Sequence, residues 1–203
     1  YSFETASNGT IPNELGLDGA LSYRPLAGGS SGLAVIPGRW PQKKAVRLDG
    51  DSLEALAFPV ERSFTVSAWV RLNGPGSFRG NNESTNGTLF SSGSGYTDGW
   101  RLTVMQPERT LVFSLGRPVE RSFSVTSRAT APSLWQHLAI TWDGQVMRSY
   151  ADGQLIGCGD YSGSFTPAKN FRIGFANHGV GSVRMDIDEV AIFGRALLAG
   201  EVI

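Results

Sequence analysis

Cysteine is nearly absent from these 203 residues: Cys158 stands alone between two glycines, so no disulfide can form within the chain. Small secreted scaffolds usually depend on such staples, but a chain of this length can bury enough apolar surface without them, so the lone cysteine leaves the compartment open. Histidine is scarce as well. His137 and His178 are the only two, and neither belongs to a His-Glu-x-x-His zinc motif. Neither sign of charge is in excess, since 18 Lys and Arg balance 18 Asp and Glu. The lack of a basic stripe and of a Lys/Arg-rich amphipathic segment argues against nucleic acid or anionic membrane as the main partner. No apolar run approaches the roughly twenty residues of a membrane-spanning helix, and no stretch reads as a signal peptide. A phosphate-binding Gly-x-x-x-x-Gly-Lys-Ser/Thr loop is missing too.

What is present is turn chemistry between short apolar runs. Twenty-six glycines and ten prolines suit many tight connections. The densest signal spans residues 134–156, two apolar runs joined at Asp143-Gly144 with a second turn at Asp152-Gly153. An Asp-Gly pair between alternating runs is the strongest short-range mark of a β-hairpin. Leu138, Ile140 and Trp142 share one face at period two, and His137, Ala139 and Thr141 share the other. In residues 64–72 the set Phe64, Val66, Ala68 and Val70 opposes Thr65, Ser67, Trp69 and Arg71, a half-polar set suited to an antiparallel sheet with one wet side. Runs of this kind bring the expectation to about a dozen strands. Residues 21–44 show little periodicity and read as a connection along the sandwich edge, residues 73–87 as the longest loop, and residues 195–202 as a short closing helix. No linker divides the chain, so residues 1–203 are expected to form one all-β domain, a two-sheet antiparallel sandwich.

Four stretches carry a family resemblance. They are Tyr1-Ser2-Phe3-Glu4; Phe64-Thr65-Val66-Ser67-Ala68-Trp69-Val70; Trp135-x-His137-Leu138-Ala139-x-Thr141-x-Asp143-Gly144 followed by Tyr150-x-Asp152-Gly153; and Ile187-Asp188-Glu189-Val190 with Gly194-Arg195-Ala196-Leu197. In this order they resemble the laminin-G-like jelly-roll domains of the concanavalin A-like lectin/glucanase superfamily. The resemblance implies a jelly roll and a structural calcium ion near the N-terminal loop. Carried over residue by residue, it nominates Glu4, Asn13 and Asp188 as side-chain ligands, with Asn8 and Thr10 as loop oxygen donors. Calcium takes six to eight hard oxygens at flexible geometry, which carbonyls and two carboxylates can supply. Asn13 stands where the family often has Asp, which lowers the negative charge of the site. The competing reading is a loop closed by Asx turns with no ion.

The superfamily holds binders, enzymes and structural modules, so function rests on sites. Its glucanases carry three carboxylates along one strand face, because a retaining glycosidase needs its two carboxyl groups about 5–5.5 Å apart. Residues 184–190 imitate that pattern, but strict alternation puts Arg184, Asp186, Asp188 and Val190 on one face and Glu189 on the other, which removes the third carboxylate. His137 reads as a structural residue bonding across the sheet. The expectation is therefore a non-catalytic carbohydrate-binding module, part of a larger secreted or surface protein of bacterial type that acts on polysaccharides. Its place would be extracellular, periplasmic or at the cell surface, with any targeting signal outside this segment.

Sugar binding needs a ring to cover an apolar sugar face and planar polar groups to fix hydroxyls or carboxylates. The candidates are Tyr96, Trp100, Arg101, Arg117, Arg121 and His178, and convergence of the arginines would point to an acidic glycan. For Trp100 a place in the core competes. Trp40 beside Arg39 reads either as a surface anchor or as a lid over the core, the lid being favoured because Trp mostly supplies buried area. The alternative function is a protein-interaction or architectural module that docks neighbouring domains and binds no sugar.

Overall fold

Short alternating runs with Asp-Gly turns between them fold as paired strands. The computed structural model describes residues 1–14, 19–25, 32–56, 62–75, 86–93, 97–105, 109–116, 123–129, 133–161, 166–168, 170–174 and 183–202. Among these, fifteen strands follow one another: β1 (Thr10–Ile11), β2 (Leu21–Arg24), β3 (Ala34–Pro37), β4 (Lys44–Asp49), β5 (Ser52–Ala55), β6 (Phe64–Pro75), β7 (Asn86–Ser92), β8 (Trp100–Met105), β9 (Thr110–Leu115), β10 (Phe123–Ala129), β11 (Trp135–Trp142), β12 (Val146–Ala151), β13 (Gln154–Asp160), β14 (Phe171–Ile173) and β15 (Val183–Phe193). One sheet has the order β1-β2-β5-β14-β7-β8-β9-β10, the other β13-β12-β11-β6-β15-β4-β3. For clarity the first is called the front sheet and the second the back sheet.

The expected sandwich is the observed one, with more strands than the dozen anticipated. Residues 21–44, expected to lack regular structure, supply β2 and β3, one to each sheet. The closing helix of residues 195–202 is reduced to a single 3₁₀ turn, Ala199–Glu201.

The Asp-Gly hairpins explain the register of the back sheet. Asp143 Oδ1 accepts hydrogen bonds from the amides of Gln145 (2.9 Å) and Val146 (2.7 Å), an Asx turn that starts β12. At the second turn Asp152 (φ 49°) and Gly153 (φ 75°) both take positive φ, as a two-residue hairpin whose twist matches its strands requires. Asp152 Oδ1 also accepts from the His137 amide at 2.9 Å, tying the turn to β11. The inward sets of both sheets then meet. Phe64 of the back sheet stacks on Trp100 of the front sheet with ring centroids 5.0 Å apart, and Phe113 and Trp142 flank it at 6.2 and 6.1 Å.

On the outer side of the back sheet exposure rises along β6. Thr65 and Ser67 are buried, Trp69 and Arg71 are half-buried, and Asn73 is exposed. The C-terminal segment causes this gradient: Leu197 and Val202 pack on Ala139 and Tyr150. Thr65 Oγ1 anchors it by donating to the Arg195 carbonyl (2.9 Å) and accepting from the Leu197 amide (2.8 Å). Arg195 then grips Glu201 with two bonds of 2.8 and 2.7 Å; that pairing and the Leu198 amide hold the Glu201 carboxyl down at about 2. Half of the outer face is covered and half is left open.

Candidate functional site

The open half is organised by cross-strand register. Trp69 on β6 lies opposite His137 on β11 and Asp188 on β15. The turn between β3 and β4 closes over this row, with the Gly38 amide donating to the Lys43 carbonyl at 2.7 Å and the Lys43 amide to the Trp40 carbonyl at 3.0 Å. Asp188 Oδ2 accepts from the Arg39 amide at 3.2 Å and docks the turn on the sheet. Position 38 must be glycine for that approach, because a Cβ there would sit 2.7 Å from Asp188 Oδ2. The docked turn lays Arg39 on Trp69, its Cζ 3.4 Å from the ring centroid, and brings the same Cζ to 4.2 Å from the Trp40 centroid. His137 continues the stack on the Trp69 side at 5.3 Å. Trp40 ends it with 47% of its surface exposed, so the surface-anchor reading holds and the core-lid reading fails.

A β-bulge shapes the neighbouring hollow. The register of β15 on β6 shifts between Asp188 and Ala191, and Glu189 takes φ 49°, a left-handed conformation that side chains rarely adopt. The extra residue breaks alternation, so Glu189 shares the outer face with Ser67, Trp69, His137, Ala191 and Phe193 around a cavity of about 260 Å³. The expectation that Glu189 faces away is thus overturned. Its carboxylate pairs with Lys43 Nζ at 3.5 Å and acts on the N-terminal ammonium of Tyr1.

Two buried groups beside the stack lack full partners. His137 is 7% exposed, and its Nδ1 has no hydrogen bond among the described residues; the bonds it makes across the turn come from its backbone rather than its ring. Burial pushes the imidazole below its ordinary value, with Arg39 reinforcing and Asp152 and Glu189 opposing. Asp188 is fully buried and its Oδ1 has no hydrogen-bond donor among the described residues. Burial raises its carboxyl above the usual range, the negative charges of Glu189 and Glu4 add to this, and the Arg39 and Glu189 amides oppose it.

One row further along, Trp135, Arg71, Asp186 and Arg47 lie side by side on β11, β6, β15 and β4. Asp186 is sealed from solvent beneath two guanidinium groups: Arg47 Nε reaches Oδ1 at 2.7 Å and Nη2 reaches Oδ2 at 3.1 Å, while Arg71 Nε and Nη2 reach Oδ2 at 2.8 and 2.6 Å. Burial alone would raise its carboxyl, but hydrogen bonds from Arg47, Asn73 and Arg71 outweigh that and hold it below the usual carboxylate range. The two arginines thus hold Asp186 as a carboxylate, the opposite of the raised acid that a proton donor to a leaving group needs. The Asp186/Asp188 pattern is therefore spent on two arginines and a docked turn, a different reason from the alternation argument that the bulge removes.

Of the residues nominated for sugar binding, the structure describes two, Trp100 and Arg101, and they do not face one site. Trp100 is 1% exposed in the core against Phe64 and serves packing, not ligand. Arg101, its neighbour on β8, points to the opposite side of the front sheet, buried in a row with Ser91 and Ser114. Tyr96, Arg117, Arg121 and His178 lie outside the described residues. Of the calcium set, Glu4 Oε1 accepts from the Lys44 amide at 3.0 Å and interacts electrostatically with Asp188. Asn8 and Thr10 are exposed, and Asn13 is half-buried. Asn8 also lines a second cavity, with Tyr23, Leu33 and Val35. No group of three His, Cys, Asp or Glu side chains that could hold a metal occurs among the described residues.

The sequence signal for the stack was present in part. Alternation in residues 64–72 already put Trp69 and Arg71 on the polar face, but nothing local tied them to Arg39, Arg47 or Trp135, which arrive from three other stretches.

Residues 46–203 match the sequence profile of the family described as the Concanavalin A-like lectin/glucanases superfamily. No curated protein matches the chain in sequence. Among solved structures, domain 4 of AbnA, a GH43 extracellular arabinanase from Geobacillus stearothermophilus in complex with arabinotriose, superimposes with a TM-score of 0.72 at 20% identity, covering 100% of this chain and 94% of that one. The binding domain of Paraclostridial Mosquitocidal Protein 1 gives a TM-score of 0.71 at 16% identity over 97% of this chain and 49% of the other. The binding domain of Botulinum Neurotoxin DC in complex with SialylT gives 0.68 at 14% identity over 99% and 51%. The chain thus spans about half of the two toxin domains. At these identities the likeness is one of fold.

Proposed function

The chain belongs to the concanavalin A-like lectin/glucanases superfamily, and within it we propose that it is a non-catalytic carbohydrate-binding module of a larger secreted or surface protein, steadied by a structural calcium ion. The observation that carries the reading is the Trp40–Arg39–Trp69 stack. An indole 47% exposed yet immobilised against a guanidinium is a preorganised platform for the apolar face of a sugar. Beside the stack the hollow offers the Glu189 carboxylate, the Ser67 hydroxyl and the His137 imidazole, groups that match sugar hydroxyls in kind. The structural neighbours support the class, since one is bound to arabinotriose and another to SialylT.

For calcium, the buried Asp188 Oδ1 without a donor is the feature that a cation would complete, with Glu4 as the second carboxylate. Asn8, Thr10 and Asn13 would add neutral oxygens. The ion would fix the turn that carries Arg39 and Trp40, through Asp188.

A glycan array with the wild type and Trp40→Ala tests the function. Retention of defined glycans by the wild type, weakened by the substitution at unchanged melting temperature, is expected; no retention of any glycan, with or without calcium, would remove the reading. The second reading is a docking module, favoured by the exposed Leu198 and Phe193 on the C-terminal segment. Domain-bound but glycan-blind behaviour would select it.

A further inference from the structure

We propose that Arg47 and Arg71, set around Asp186 beside the Trp135 ring, form a subsite for a carboxylate-bearing sugar, so that the glycan is acidic; this rests on the carbohydrate-binding reading above. The geometry separates the charges. Asp186 is sealed at 0% exposure while the side chains of Arg47 and Arg71 are 50% and 29% exposed, so solvent meets the two cations and not the anion between them. Both arginines spend Nε and Nη2 on Asp186. A guanidinium carries five N–H donors in a planar fork, which leaves the Nη1 edge of each for a second planar anion. The shared carboxylate holds the forks still, as a carboxylate-binding site requires.

Other charges on this face do not cancel the excess. Asp49 also acts on Arg47, but its charge is matched by Arg184 at 2.7 Å, and Glu189 lies one row away with Lys43. The half-buried Trp135 ring stands 4.9 Å from Arg71 Cζ and supplies the apolar surface that a pyranose face needs beside its carboxylate. From β11 to β4 the row crosses three strand spacings of about 4.8 Å, room for more than one sugar unit. Its neighbour in the next row is Trp69, so the subsite is continuous with the stack.

The test titrates the full chain with oligogalacturonate, hyaluronan fragments and sialyllactose, each also as its methyl ester, and with neutral arabinotriose. At least one acid should bind about tenfold or more tighter than its ester, and rising salt should erode that preference. Arg47→Gln and Trp135→Leu should abolish it, while Arg148→Gln, which removes an equal charge from the same sheet beside Asp143, should leave it. Arg47 is taken rather than Arg71 because its side chain is the more exposed, 50% against 29%; since it too bonds the buried Asp186, melting curves check that each variant folds. Equal binding of acid and ester, or equal losses for Arg47→Gln and Arg148→Gln, would overturn the subsite while neutral binding kept the carbohydrate reading alive. Binding of no probe at all would overturn both.

Discussion

Arg39 and Trp69 come from stretches thirty residues apart in the chain and meet face to face, Cζ 3.4 Å from the ring centroid. The contact positions Trp40, because the same guanidinium also lies 4.2 Å from its ring. A cation over an aromatic face contributes about 0.5–1 kcal/mol at an exposed site. Arg39→Ala should therefore lower stability by about that amount in chemical denaturation, yet weaken glycan binding as much as Trp40→Ala does. Arg39→Lys should rescue only in part, since an ammonium cannot stack as a plane. Full binding by Arg39→Ala would show that Trp40 needs no support.

Asp188 should report calcium through stability. Ligand at a hundredfold excess over its dissociation constant stabilises a fold by about 2.7 kcal/mol. Asp188→Ala should thus lose far more stability in calcium than in chelator. Equal losses in the two conditions would mean that the buried carboxylate only docks the Arg39 amide.

Trp100 separates packing from binding. Replacing this buried ring with alanine should cost about 3–5 kcal/mol, as large aromatic truncations in cores do, and leave the affinity of the folded fraction unchanged. A selective loss of affinity at normal stability would return Trp100 to the ligand site.

Trp100 also shows how far the sequence reaches. In β8 the residues Trp100, Leu102 and Val104 alternate with Arg101 and Thr103, and the structure buries the first set in the core. The alternation is visible in the sequence, and it separates Trp100 from Arg101, since adjacent strand residues cannot face one site. The hairpins were legible because Asp143-Gly144 and Asp152-Gly153 encode their turns locally. Glu189 was misplaced because a bulge adds one residue without a sequence mark. The site itself is non-local: Arg39, Arg47, Trp69, Arg71, Trp135 and Asp186 become neighbours only once β4, β6, β11 and β15 pair.

His137 should give stability a pH dependence of definite sign. Burial lowers the imidazole below 6.5 in the fold, so the unfolded chain takes up the proton first as pH falls. The preference for the neutral ring is fully present above pH 6.5 and is lost as pH drops through the folded value. Melting curves across this range should show a loss in the wild type that His137→Gln reduces. An identical slope in the variant would place the effect elsewhere.

Five tryptophans, at 40, 69, 100, 135 and 142, offer the most direct test of sugar binding on the open half of the back sheet. Their indole N–H resonances can be followed by two-dimensional NMR while the glycan retained on the array is titrated in. Shifts at Trp40, Trp69 and Trp135 with Trp100 and Trp142 silent are expected; binding that moves none of the first three would contradict the assignment of the site.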